Sequence, residues 1–214
     1  TLLSMVDAST GGKTGCDLPE GKNLVGSFHN PRLVVIDTTF LRTLSDGHLK
    51  QGLAEMIKHE IISGEKHITC SKTPSAEEIA SSLKVKVDIV VSDPFEKKGA
   101  RALLNCGHTL AHAVEALSGF AISHGEAVAI GCVNEAQIAL KMGLSDRAFV
   151  NELEERFAQF GIETSLPPNL DKRMLKNFML NDKKRDGNEV FFALPCGWGD
   201  VRLVKMNPME IEEW

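Results

Sequence analysis

The stretch that most constrains this 214-residue chain is RALLNCGHTLAHAVEALSGFAISHGEAV, residues 101–128, which holds three of its seven histidines. His108 and His112 are four residues apart, which on a helix puts them on one face about one turn from each other. Ser123 to Glu126 reads S-x-x-E, a capping box that opens an apolar helix through AVAIGCVNEAQIALKMG. His124 then becomes the first residue of that helix, with its ring free to face a cleft. One histidine on a helix face and another at the mouth of the next helix make a candidate pair of metal ligands. Neutral imidazole suits zinc, and a catalytic zinc takes three protein ligands and keeps one position open. Cys106 is two residues from His108, a spacing that points it elsewhere on a helix, so it reads as a small buried apolar residue.

Composition narrows the class. The chain is 43% hydrophobic and 25% charged with a net charge of -5, and no basic block stands out. This argues for a globular protein and against nucleic-acid or membrane-surface partners. Its apolar runs fall far short of a membrane span. Five cysteines (Cys16, Cys70, Cys106, Cys132, Cys196), odd in number and without a C-x-x-C pair, predict a reduced, cytoplasmic setting, and the opening residues carry no leader pattern. The chain starts at Thr1 and enters a motif-like segment at once, so a piece of a longer protein is expected.

Residues 1–31 are Gly-rich and read as irregular. GGKTG, with Lys13 and Lys22 nearby, is either a phosphate cradle or a surface loop; it does not satisfy the G-x-x-x-x-G-K-[ST] pattern. RLVVIDT, residues 32–38, is a β-branched apolar run that reads as a buried strand. A helix follows, with Ser45 or Asp46 as N-cap, Leu49, Leu53, Met56 and Ile57 at helical spacing, and Gly64 as its stop. On it Glu55, Lys58 and His59 fall within one turn, either as a solvated charged face or with Glu55 as third ligand to the histidine site. Further helices are read over 75–93, closed by Pro94, over 101–119, over 124–143, over 145–161 with a Ser145 cap and a Gly161 stop, and over 170–181 with Asp171 near its start. NEVFFALPCGWGDVRLV reads as a β-hairpin through Pro195–Gly199. The sum is a mostly helical domain, residues 45–214, after a short α/β tail, residues 1–44.

With these residues in hand, VDASTGGKTG, LPEGKNLVGSFHNP, GLAEMIKHEII, RALLNCGHTLAHAVEA and SHGEAVAIG together resemble the 3-dehydroquinate synthase family of sugar-phosphate cyclases. The five blocks span nearly the whole chain in the family's order. The resemblance implies a helical, metal-binding C-terminal domain preceded by the truncated end of a Rossmann-like NAD-binding domain. It implies NAD and a divalent metal, zinc or cobalt, as cofactors, and a homodimer. The zinc ligands it implies are Glu55, His108 and His124. It places Lys13, Asn23, Asn105 and His112 as anion-binding groups, with His112 near the substrate phosphate; a satisfied core histidine is the alternative there. It sets Lys58, Lys86 and Arg101 around the substrate's carboxylate and hydroxyls, with Asp7 close by. Lys13, Lys22, Asn23, Phe40, Leu41, Arg42 and Thr43 resemble parts that meet NAD, and Lys183 or Lys184 a further family lysine. The spacer VDIVVSDPFEKKGA is one residue longer than the family's usual one, which bears on Lys86 and on Glu96.

The implied reaction converts 3-deoxy-D-arabino-heptulosonate 7-phosphate to 3-dehydroquinate and phosphate, on the route to aromatic amino acids. NAD is reduced and then regenerated within one turnover. Arg suits a bidentate carboxylate clamp and Lys a compact positive charge. Three rivals remain at this point. A sister cyclase of the 2-deoxy-scyllo-inosose or valiolone type would act on a substrate without the carboxylate. A metal-dependent polyol dehydrogenase would release NADH. A zinc-binding helical fragment would be inert.

Overall fold

The structure, a computed structural model, describes the chain except residues 19–20, 70–72, 98, 182–184, 187 and 212–214, and the side chains of residues 17, 21–24, 181, 185 and 186. Cys70, Lys183, Lys184 and the side chains of Lys22 and Asn23 therefore lie outside the described residues.

Helix α4 (His124–Lys141) forms the axis of the fold because its sequence is apolar on every side, and Ala127 through Ala136 are all buried. Around it pack α1 (Asp46–Ser63), α3 (His108–Leu117), α5 (Arg147–Ala158) and strand β4 (Glu189–Gly197). Two glycines let α4 approach its neighbours at backbone distance. A Cβ on Gly125 would lie 2.2 Å from the Cα of Gln51, and one on Gly131 would lie 1.9 Å from the carbonyl oxygen of Gly107. Helix α2 (Ala76–Ser92) packs on α1, and α6 (Lys172–Asn181) on α3.

Local chemistry sets most helix ends where the sequence predicts them. Ser45 accepts the His48 N–H at the start of α1, and Gly64 ends it at φ 79°. Ser75 and Glu78 form a capping box on α2, with the Ser75 N–H on Glu78 Oε2 at 2.7 Å. Glu126 likewise accepts the Ser123 N–H at 3.0 Å at the start of α4. Asp171 accepts the N–H groups of Arg173 and Met174 in α6.

Five expectations are corrected. Helix α5 is capped by Asp146, which accepts the Phe149 N–H at 2.8 Å, while the Ser145 hydroxyl is buried without a partner; a carboxylate gains more from the positive helix end than a hydroxyl does. The 101–119 helix is two pieces, a 3-10 turn at Ala100–Asn105 and then α3, because Gly107 between them takes the left-handed conformation at φ 74°. Residues 1–31 are not irregular: a π-turn at Ser4–Ala8 leads to an antiparallel hairpin of β1 (Lys13–Leu18) and β2 (Gly21–Phe28). Glycines stand where side chains would show the strand alternation, as at the Gly15–Gly26 pair, and a Cβ on Gly26 would lie 1.9 Å from the Thr14 carbonyl oxygen. Residues 32–37 form no strand, and Leu33 and Val35 are 78% and 79% exposed. A strand needs a ladder partner, and none of the described residues provides one. In the C-terminal hairpin Pro195 belongs to β4, the turn is Trp198–Gly199, β5 is Asp200–Met206, and β3 (Arg185–Asp186) adds a third strand in the order β3-β4-β5. No described helix is long and apolar enough to cross a membrane.

Candidate metal centre

The close Gly125–Gln51 contact sets the geometry of the site. Glu55 lies one turn beyond Gln51 on α1, and His124 immediately precedes Gly125 on α4, so the two side chains meet. His108, the first residue of α3, completes the group. Glu55 Oε1 lies 3.4 Å from His108 Nε2 and 3.2 Å from His124 Nε2. One ligand atom from each of the three residues lies within 4.8 Å of the others. Tetrahedral bonds of about 2.0–2.1 Å set neighbouring ligand atoms roughly 3.3 Å apart, so the donor set fits a zinc-sized ion.

The surrounding contacts prepare each ligand. His108 Nδ1 is 3.0 Å from the Cys106 carbonyl oxygen, which fixes Nδ1 as the protonated nitrogen and turns the Nε2 lone pair toward Glu55. Burial and then the Lys58 charge hold His108 below the usual histidine range, so it stays neutral. His124 Nδ1 lies 3.3 Å from Glu115 Oε2. Burial opposes protonation of His124, but Glu115 and Glu55 outweigh it and push the imidazole up to about 9. Burial would raise the Glu55 carboxyl; Lys58 and the two imidazoles reverse this and hold it well below the carboxylate range.

A second triad, Asp7, Glu55 and His59, also has converging atoms. There Lys58 is ion-paired to Glu55 Oε2, and Lys86 Nζ to Asp7 Oδ1 at 2.6 Å, so this group reads as an ion-pair network, whereas Glu55 Oε1 faces the two histidines. Burial would deprotonate Lys58, but the Glu55 and Asp7 carboxylates raise it and keep it charged. His59 Nδ1 meets the Ser82 hydroxyl at 2.8 Å, while its Nε2 is buried without a partner.

Two of the implied substrate cations meet the 7–11 segment. Lys86 Nζ also donates to the Asp7 carbonyl oxygen at 2.5 Å. Arg101, 3% exposed, donates from Nη1 to the Pro94 carbonyl and from Nη2 to the Gly11 carbonyl, both at 3.0 Å. A Cβ on Gly11 would lie 2.9 Å from Arg101 Nη2 and 3.5 Å from Lys86 Cε, so both cations close on that glycine. His112 is exposed and presents its ring edge-to-face to His108 at 5.6 Å, which removes the core-histidine alternative. Asn105 is half-buried at the end of the 3-10 turn. The solvated-face alternative for Glu55, Lys58 and His59 also fails, since all three are buried.

Other residues fall elsewhere. Lys13 opens β1 and pairs with Glu96 at 2.6 Å. Phe40, Leu41, Arg42 and Thr43 form part of a 3-10 turn, Thr38–Thr43, which Asp37 caps through Thr39. The Leu41 side chain is turned into the core, so only its backbone could meet a cofactor. Cys106 is buried as expected and contributes its carbonyl. Glu115 was missed by sequence reasoning. Its partner His124 opens the next helix, so no spacing within α3 points to it.

Comparison with known proteins decides the family. Residues 52–185 match the family model described as 3-dehydroquinate synthase C-terminal, and residues 1–51 the one described as 3-dehydroquinate synthase N-terminal. The chain belongs to the 3-dehydroquinate synthase family. A 3-dehydroquinate synthase of Symbiobacterium thermophilum is 40% identical over 94% of this chain and 59% of its own length. One of Xanthomonas oryzae pv. oryzae is 41% identical over 95% of this chain and 60% of its own length. The chain thus spans about three-fifths of these curated relatives. Among solved structures, 2-deoxy-scyllo-inosose synthase complexed with carbaglucose-6-phosphate, NAD+ and Co2+ superposes with a TM-score of 0.87 at 26% identity, covering 98% of this chain and 63% of that one. The 2-epi-5-epi-valiolone synthase of Streptomyces hygroscopicus subsp. jinggangensis with NAD+ and Zn2+ bound gives 0.85 at 26% identity, covering 99% and 62%.

Proposed function

We propose that this chain is the metal- and substrate-binding portion of a 3-dehydroquinate synthase, acting on 3-deoxy-D-arabino-heptulosonate 7-phosphate to give 3-dehydroquinate and phosphate. On this reading residues 1–44 are the end of a Rossmann-like NAD-binding domain and residues 45–214 the metal-binding domain. NAD and zinc or cobalt are its cofactors, and it works in the cytoplasm as a homodimer. The observation that carries the reading is the Glu55, His108 and His124 triad with Lys58 on Glu55, and with Lys86 and Arg101 closing on Gly11.

When bound, the metal would supply Lewis-acid polarisation of substrate oxygens and NAD a hydride acceptor. The chain's own residues bind and orient. Lys58, held charged by Glu55 and Asp7, is a fixed positive point beside the metal ligands. Arg101 has two carbonyls as its hydrogen-bond partners among the described residues. Neither partner is a carboxylate, so its charge has no direct hydrogen-bonded counter-ion among the described residues, which favours a substrate with a carboxylate over the carboxylate-free sugar phosphates of the sister cyclases. His112, exposed beside His108, can exchange a proton between substrate and solvent.

The test is elemental metal analysis of the chain and of His108→Ala, followed by turnover in a polypeptide that also carries the remaining span of its relatives. About one zinc or cobalt per chain, lost in the variant, and NAD-dependent conversion of the heptulosonate are expected. Turnover of a sugar phosphate that lacks the carboxylate instead would favour a sister cyclase. Net accumulation of NADH would favour a polyol dehydrogenase.

A further inference from the structure

The start of α3 has no cap of its own. Gly107 precedes it and offers no side chain, while the first amides of a helix have no partner within the helix. Gly107 and Leu110 are buried, so those amides need an acceptor inside the protein. It comes from another helix. Glu135 of α4 takes the Gly107 N–H on Oε2 at 3.1 Å and the Leu110 N–H on Oε1 at 3.0 Å. Glu135 is itself fully buried.

Where Glu135 stands on α4 matters. It lies eleven residues after His124, about three turns, so the two share one stripe of the helix. Gly131 falls on the same stripe, and there α4 touches Gly107. One stiff helix thus carries His124 at one end and, near the other, the acceptor that holds the helix beginning with His108.

We propose that Glu135 is a positioning residue of the metal centre: by capping α3 from α4, it fixes His108 relative to His124. This rests on the reading of Glu55, His108 and His124 as a metal site. A cap of purely structural value would raise folding stability and leave metal affinity of the folded protein unchanged.

The experiment uses Zn2+ alone as the probe, with a competing chelator, on the whole chain and on Glu135→Gln and Glu135→Ala. Glutamine keeps the size but offers one acceptor oxygen to two amides; alanine offers none. In variants shown to be folded by circular dichroism, Zn2+ affinity is expected to fall about tenfold for glutamine and toward 100-fold for alanine, the range seen when groups supporting a ligand are lost. Amide exchange at Gly107 and Leu110 is expected to quicken, and the visible spectrum of bound Co2+ to shift. Should Glu135→Ala not fold, Glu135→Gln decides alone. A folded variant that binds Zn2+ as tightly as the parent overturns the proposal, even if its urea midpoint falls. A parent chain that binds no Zn2+, or binds it equally well as His108→Ala, overturns the metal-site reading itself and this proposal with it.

Discussion

At the scale of single residues, His59 shows what burial does to a titratable group. Burial and then the Lys58 charge push its imidazole down to about 3, from 6.5. Its folded value is depressed, so its contribution is present above 6.5 and is lost as pH falls toward 3, because the unfolded chain takes up a proton that the folded one refuses. By pH 5 this amounts to about 2 kcal/mol. Urea unfolding of the parent and of His59→Gln at pH 7 and pH 5 checks it: the parent's advantage is expected to shrink on acidification, and a pH-independent gap would contradict a buried neutral imidazole. Glu115 gives a second prediction. Its carboxylate orients His124, so Glu115→Gln is expected to weaken zinc binding by about 10–100-fold, read by chelator competition, without the full loss expected of His108→Ala.

Among secondary-structure elements, glycines decide how close the ligand helices come. Gly131→Ala pushes a Cβ against the Gly107 carbonyl and is expected to destabilise the chain by about 1–3 kcal/mol and to weaken zinc binding with it. Gly47 lies in the first turn of α1, where an added methyl group would meet nothing within 4 Å, so Gly47→Ala is expected to stabilise by roughly 0.5–1 kcal/mol. Urea midpoints of the two variants should move in opposite directions. Such contacts mark the limit of what the sequence made legible. Ser45, Ser75 and Ser123 announce helix starts through neighbours a few residues away, and His124 could be placed at a helix mouth for that reason. Glu115 and Glu135 act across a helix pair, and only the packing of α3 on α4 brings them to their partners. The 13–28 hairpin stayed hidden because glycines interrupt its alternation. The run from Arg32 to Asp37 was misread because strand propensity says nothing about whether a partner strand is present.

For the molecule as a whole, exposure separates residues that hold this chain together from those that do not. Phe192 is fully buried in β4, and Phe192→Ala is expected to cost about 3–5 kcal/mol. Leu33 and Val35 are mostly exposed, and Leu33→Ser with Val35→Ser is expected to change stability by less than about 0.5 kcal/mol for each. Denaturant titration distinguishes them, and a large loss from the second pair would mean that the 32–37 segment packs. The span between Glu55 and His124, 69 residues, has a consequence during synthesis. At about 5–20 residues per second, the ribosome makes His124 roughly 3–14 s after Glu55. Lys58, three residues from Glu55, is made almost with it, so the counter-charge of that carboxylate is at hand for the seconds before the last histidine of the triad exists.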